Sequence, residues 1–171
     1  MLSIDELRLR PWQVDDADVW VQAYQNPAIE RWHVRTLDHD EAVQYLESLA
    51  GLWQSEDKAD WAVTDSAGDV LGRIGLNGID LYEGAASFAY WTLPPARGRQ
   101  VAPRAVQAVT DWAFSLGFHR LSLRHSVLNE ASCRVAEKAG YAYEATNRLD
   151  GRHADGWHDM HLHARLNPAQ L

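Results

Sequence analysis

Cys133 is the only cysteine in the 171-residue chain, so no disulfide can form within it. Lysine is nearly as scarce: Lys58 and Lys138 are the only two, and arginine supplies the other basic residues. Against 24 Asp and Glu the 16 basic residues leave a formal net charge of −8. That balance argues against general nucleic-acid binding, which needs a basic face, and favours a cationic partner such as an amine or a basic peptide. No apolar run approaches the ~20 residues that cross a bilayer. The opening residues, Met1-Leu-Ser-Ile-Asp-Glu, have neither the basic patch nor the apolar run of a signal peptide. The expected setting is therefore cytoplasmic, with no membrane partner. Repeats, low-complexity tracts and linkers are also missing. Residues 1–171 read as a single α/β domain, and 46% apolar content is enough for its core.

What the chain does have is eight tryptophans and clear alternation between strand and helix patterns. The tryptophans are expected in the core or on pocket walls, because each ring buries a large area. Leu7-Arg-Leu-Arg10 alternates as a first strand and stops at Pro11. Val19, Trp20, Ala23 and Tyr24 recur at helical spacing up to Asn26-Pro27. Asp38-His-Asp-Glu41 has capping-box spacing ahead of Ala42, Tyr45, Leu46, Leu49 and Trp53. Trp61–Thr64 and Val70–Leu76 form a hairpin across Ser66–Asp69, with Gly72 and Gly75 marking a bulge or a close backbone approach. Asn77-Gly78 punctuates the exit from that strand. A closing hairpin pairs Tyr141–Asn147 with Trp157–Leu166 across a polar loop containing Gly151 and Gly156.

The densest chemistry lies between Ala85 and Gly140. Ala85–Leu93 reads as a strand, Pro94–Arg99 as a turn, Val101–Leu116 as a helix and Arg120–Val127 as a second strand. Asn129-Glu-Ala-Ser132 then opens another helix. Strand–helix–strand at this length implies a right-handed parallel crossover. A turn feeding a helix N-terminus is an anion site, because the first N–H groups lack partners inside the helix and the dipole favours negative charge there. Arg97, Arg99 and Arg104 crowd that end, so a phosphorylated cofactor is the expected guest.

This order, closed by Ala139-Gly140-Tyr141, resembles the GNAT acetyltransferases, and within them the ribosomal-protein N-acetyltransferase (RimJ/RimL-like) branch. The resemblance spans nearly the whole chain, from Leu7-Arg-Leu-Arg10-Pro11 to Gly156-Trp-His-Asp159. It implies a mixed, mostly antiparallel sheet with helices on both faces, splayed at the central β-α-β crossover. Acetyl-CoA is the implied donor substrate, and no metal is expected. The family's pyrophosphate loop, Arg/Gln-x-x-Gly-x-Gly/Ala, stands here as Arg97-Gly98-Arg99-Gln100-Val101-Ala102. Gln100 replaces a glycine, and its N–H still reaches phosphate if its φ is negative. The implied cofactor contacts run over Arg97, Gly98, Arg99, Gln100, Val101, Ala102, Pro103 and Arg104. By the same resemblance Trp91, Thr92 and Leu93 hold the backbone donor for the oxyanion, and Asn129 and Ser132 lie along the pantetheine arm and sulfur.

The resemblance also implies direct attack of a primary amine on the thioester. Many members place a tyrosine acid seven residues after the asparagine. Here that position is Ala136, so Ser132 is expected to protonate the leaving thiolate. The general base stays open between His125, on the second crossover strand, His33 and Glu30, before the second helix, and water. A glutamate near the family's final hairpin has no counterpart, because Gly151 or Arg152 stands there. Glu30, Trp32 and His33 are the expected acceptor-side residues. Cys133 reads as a small buried apolar residue. His161, His163 and Asp159 share a strand face with metal-ligand character, but a polar face opposite Met160, Leu162, Ala164 and Leu166 accounts for them more simply. Two other functions stay open: the same fold using a longer acyl-CoA or an aminoacyl-tRNA, and a non-catalytic ligand-binding module. Monomer and homodimer are equally compatible with the sequence.

Overall fold

Alternating leucines start the sheet. Leu7 and Leu9 of β2 (Leu7–Arg10) are wholly buried, while Arg8 is exposed and Arg10 pairs with Asp16 at 2.7 Å. The computed structural model describes residues 2–170. A short β1 (Leu2–Ile4), not expected from the sequence, pairs antiparallel ahead of β2. Two helices follow, α1 (Ala17–Gln25) and the single turn α2 (Pro27–Glu30), separated at Asn26-Pro27 as the proline requires. Asp38 caps α3 (His39–Gln54) through the expected capping box with Glu41.

The chain then makes β3 (Lys58–Thr64), β4 (Val70–Asp80) and β5 (Ala85–Thr92) as an antiparallel meander. Asn77-Gly78 does not end β4. The strand runs on to Asp80 through a register shift, with Gly78 at φ 57°. Gly72 marks a close approach: a Cβ there would lie 2.5 Å from the carbonyl oxygen of Trp91. Helix α4 (Val101–Ser115), β6 (Arg120–Ser126), α5 (Glu130–Lys138), β7 (Ala142–His153) and β8 (Gly156–Leu166) complete the order β1-β2-β3-β4-β5-β6-β8-β7. Gly151, expected in the hairpin loop, lies inside β7.

Among the described residues only β5 and β6 run parallel, joined by α4, and their ladder is three pairs long: Ala85↔Arg120, Ala86↔Leu121 and Ser87↔Ser122. Beyond Ser87 the strands part. β5 nevertheless keeps its pairing with β4 as far as Gly72↔Thr92. The outer edge of β5 from Phe88 onward therefore has backbone groups without a strand partner, and the sheet opens as the resemblance implies.

The two faces of the sheet pack different cores. Against α4 lie Leu7, Val63, Ile74, Leu76, Leu121 and Leu123, met by Val106 and Val109. Against α1–α3 lie Trp12, Trp20, Tyr24 and Trp91. This second face also buries an ion pair. Asp60 accepts from Arg73 Nε at 3.0 Å and from Nη2 at 2.5 Å, and from Trp12 Nε1 at 3.0 Å. Arg73 Nη1 donates to the Tyr24 hydroxyl at 2.9 Å.

Candidate functional site

The parting of β5 and β6 opens a cavity of about 630 Å³. Its far end is the turn before α4. Gly98 sits at φ 79° and Gln100 at φ 59°, ψ 26°, both left-handed. The condition set for Gln100, a negative φ, is not met: it takes the left-handed conformation that favours glycine, at a cost of roughly 1–2 kcal/mol for an L residue. A left-handed residue followed by helical Val101 makes an anion nest. In the first turn of α4 the N–H groups of Val101 and Ala102 have no partner inside the helix, and Pro103 has none to leave orphaned. Arg97, Gly98, Gln100, Val101, Ala102 and Pro103 all line the cavity. Helix α5 forms the opposite wall, where Arg134 and Lys138 add positive charge.

Three residues expected around this end lie outside the cavity lining. The Arg104 guanidinium turns back to Glu6 at 2.9 Å and to the carbonyl of Arg99 at 3.0 Å, so it is committed to the N-terminal hairpin. Arg99 is exposed on the outer side of the turn. Leu93 packs into the aromatic core, and its N–H is held by the carbonyl of Leu71 at 2.9 Å. Since N–H and C=O of one strand residue point to the same side, the carbonyl of Tyr90, facing His33, sets the direction. Tyr90 and Thr92 present their main-chain groups to the cleft, and Trp91 and Leu93 present theirs to β4.

The middle of the cavity brings Asn129, Ser132 and Tyr90 together. Asn129 caps α5, its side chain accepting from the Ser132 N–H at 3.1 Å. The Tyr90 hydroxyl donates to Ser132 Oγ at 3.0 Å. Burial pushes the Tyr90 phenol well above its usual range, against the opposing hydrogen bond to Ser132, so the phenol stays protonated and acts as donor. Ser132 then has its own proton free for another acceptor. The sequence did not flag Tyr90. Ala136, where many relatives carry tyrosine, is fully buried in the core. The phenol instead comes from β5, where period-2 alternation places Tyr90 and Phe88 on the α5 side of the sheet.

The near end is formed by Trp32 and His33, just after α2. His33 Nε2 donates to the Tyr90 carbonyl at 3.0 Å, which leaves Nδ1 as the unprotonated nitrogen. Burial, and then the charge of Arg73, lower its pKa to about 4. Glu30, at the end of α2, does not line the cavity. Neither does His125: it is 4% exposed, and its Nδ1 donates to the carbonyl of Ser126 at 2.8 Å. The strand alternation that aligned it with Leu121 and Leu123 buries it beneath α5, outside the cavity lining.

The closing hairpin departs from expectation in two ways. His163 is 2% exposed, so its side of β8 is no solvated polar face. The residues opposite are a mixed set, with Met160 buried and Leu166 exposed. The reason is topological: β8 lies between β6 and β7, so its imidazoles face side chains of both neighbours. Cys133, expected buried, is half-buried, its Sγ 3.7 Å from Glu137 Oε1.

The description of the matching family model is Acetyltransferase (GNAT) domain, and the match covers residues 6–142. The chain belongs to the GNAT family of acetyltransferases. It is 27% identical to the probable N-acetyltransferase YjcK of Bacillus subtilis, across 98% of both chains. Among solved structures it superimposes on RimL, the ribosomal L7/L12 alpha-N-protein acetyltransferase in complex with coenzyme A. There the TM-score is 0.86 and the identity 20%, over 94% of each chain. Spermidine N-acetyltransferase from Vibrio cholerae, with CoA and spermine, gives a TM-score of 0.83 and 19% identity over 95% of this chain and 96% of that one. As a GNAT enzyme this protein is an acetyl-CoA-dependent acetyltransferase. No described helix is long and apolar enough to cross a membrane.

Proposed function

We propose that the protein transfers the acetyl group of acetyl-CoA to a primary amine in a ternary complex. The observation that carries this reading is the continuity of one cavity: the anion nest at Gly98–Ala102, the Tyr90–Ser132 pair and the Trp32–His33 wall all line it. The nest and the α4 N-terminus hold the diphosphate, with Arg97, Arg134 and Lys138 supplying charge. The free edge of β5 offers main-chain partners to the pantetheine amides, much as a sheet edge accepts a strand. Oxyanion stabilisation falls to the Tyr90 or Thr92 N–H, since the N–H of Leu93 is engaged by β4.

The amine lone pair attacks the thioester carbonyl, the positively charged nitrogen of the tetrahedral species gives its proton to water, and the C–S bond breaks as that species collapses to the amide. Ser132 delivers its proton to the departing sulfur and regains one through Tyr90 or solvent. His33, with its pKa lowered to about 4, is too weak a base to take a proton from an ammonium. Its unprotonated Nδ1 orients the amine as a hydrogen-bond acceptor, and the ammonium proton leaves to water before attack. Asn129 is a positioning residue, since it fixes the first turn of α5. Relatives of this fold act on protein N-termini and on polyamines. Both acceptor classes suit an enzyme of net charge −8.

Coenzyme A should raise the thermal midpoint, because a ligand bound only to the native state stabilises it. Thiol release from acetyl-CoA should then appear in a panel of N-terminal peptides and polyamines. A midpoint unmoved by CoA and every acyl-CoA tested would remove the donor site. Hydrolysis-level thiol release with every amine would reduce the protein to a binder.

A further inference from the structure

Behind the first turn of α5, on the side away from the cavity, four side chains converge that the acetyl-transfer reading does not use. His125 and His161 are direct cross-strand partners on β6 and β8, and His163 stands two residues along on the same face. Helix α5 lays Cys133 over them. One donor atom from each of the four lies within 4.8 Å of the others. The rings pack closely, with His125 to His163 at 5.2 Å and His125 to His161 at 5.4 Å between centroids.

The hydrogen bonding of these rings is incomplete. His125 Nδ1 donates to the Ser126 carbonyl, and His163 Nδ1 lies 3.3 Å from the Tyr141 carbonyl. That fixes both imidazoles in the tautomer with an unprotonated Nε2. Those two Nε2 atoms, together with His161 Nδ1, are buried and have no hydrogen-bond partner among the described residues. Two lone pairs and a third unpartnered ring nitrogen, buried with His125 and His163 at 4% and 2% exposure, are costly unless something engages them. Backbone carbonyls fixing the outer nitrogen are the usual support behind a metal-bound histidine. Asp159, which sequence spacing suggested as a ligand, is used elsewhere: its Oδ1 accepts from the Leu149 N–H at 2.9 Å.

We propose that His125, His161, His163 and Cys133 form a closed, four-ligand site for a borderline divalent transition metal, zinc before others. Three imidazoles and one thiolate suit Zn²⁺ by ligand type and number. Tetrahedral zinc needs donors about 3.3–3.6 Å apart, so the cluster contracts by roughly 1 Å on binding. Binding converts the Cys133 S–H to a thiolate–metal bond and releases one proton to solvent. With all four positions taken by protein, the ion does no chemistry. It ties the N-terminal turn of α5 to β6 and β8, one residue from Ser132, and so holds the wall bearing Asn129 and Ser132.

The test uses the full, tag-free chain stripped of metal. Titration with Co²⁺ should give one equivalent per chain with a thiolate-to-cobalt charge-transfer band, displaced by Zn²⁺. Cys133→Ser should abolish the band, and His161→Asn should weaken zinc binding roughly tenfold or more. Zinc should also slow alkylation of Cys133 in the unaltered chain by about tenfold or more, a readout that needs no variant and no turnover. Cobalt binding without the charge-transfer band, binding unchanged in both variants, or alkylation indifferent to zinc would each overturn the proposal. None of these measurements depends on acetyl transfer, so a failure here leaves the donor site intact, and the reverse also holds.

Discussion

The two faces of the sheet solve the burial problem with different chemistry. Under α4 the sheet packs mostly aliphatic side chains, with Trp61, Phe88, Phe118 and Tyr141 among them, and the Gly98–Ala102 turn beside it presents mainly backbone groups. Under α1–α3 it packs tryptophans and tyrosines around the Asp60–Arg73 pair, and the Trp32–His33 end of the cavity rests on that layer. Trp20 stands edge-on to Trp12 at 4.8 Å, and Arg73 lies over the Trp20 ring at 5.1 Å. The comparison separates two needs. A diphosphate is met by a fixed main-chain shape that many side chains can surround. An amine acceptor needs particular side chains, and those must be held by a polar network inside a core.

The sharpest way to break this contrast is at the ion pair. Asp60→Ala leaves Arg73 buried without its carboxylate and should cost about 3–5 kcal/mol, read as a fall in the denaturation midpoint. The double change Asp60→Leu with Arg73→Met should recover most of that loss. If the single change is as mild as a surface substitution, the aromatic face does not depend on its polar network.

Next in size is the chemistry shared by both halves. Ser132→Ala should lower kcat about 10²-fold and leave CoA affinity within roughly twofold. Tyr90→Phe should cost about tenfold, because it removes only the donor behind Ser132. A kcat that survives Ser132→Ala would take the proton-donor role away from this residue.

The acceptor side should also show itself in pH. His33 is depressed from about 6.5 to about 4 in the folded chain, so the unfolded chain binds more protons between those values. Its contribution is complete above pH 6.5 and is lost as pH falls toward 4, on the order of 2 kcal/mol after allowance for partial exposure. His33→Gln should flatten that part of the stability–pH curve. Burial also lowers His125 and His153, so some slope should remain in the variant. A curve unchanged by the substitution would place His33 in solvent.

The smallest effect belongs to the backbone-built half. Gln100→Gly removes the strain of φ 59° while adding chain entropy, so stability should move by no more than about 1 kcal/mol and CoA affinity should hold or rise. Gln100→Val, β-branched at a left-handed position, should lose both. Equal CoA affinity in the glycine and valine variants would mean that the turn does not grip the diphosphate.

Local pattern was enough for the crossover and for much of the cofactor turn. Alternation, proline and glycine punctuation and capping residues act within a few positions, so β5, α4, β6 and the Asn129 cap were legible, as was the turn ahead of α4. Gln100 showed the limit of that approach: its residue type gave no sign of the left-handed backbone it adopts. Tyr90 was invisible as a site residue because its role depends on α5 lying across β5, a contact 42 positions apart in the chain. Arg104 and His125 looked available because sequence gives proximity along the chain and not direction. The hairpin at Asp5 and Glu6 claims the first, and the face of β6 buries the second.

The sequence alone determined the order of elements, the parallel crossover and the turn ahead of α4, which follow from short-range periodicity, and its resemblance to the GNAT acetyltransferases implied the family and the mixed sheet. The tertiary structure decided which groups share a space: Tyr90 with Ser132, His33 with the edge of β5, and three histidines with Cys133. Those meetings depend on how a splayed sheet and its helices dock, and docking is fixed by the burial of whole faces rather than by any segment taken singly.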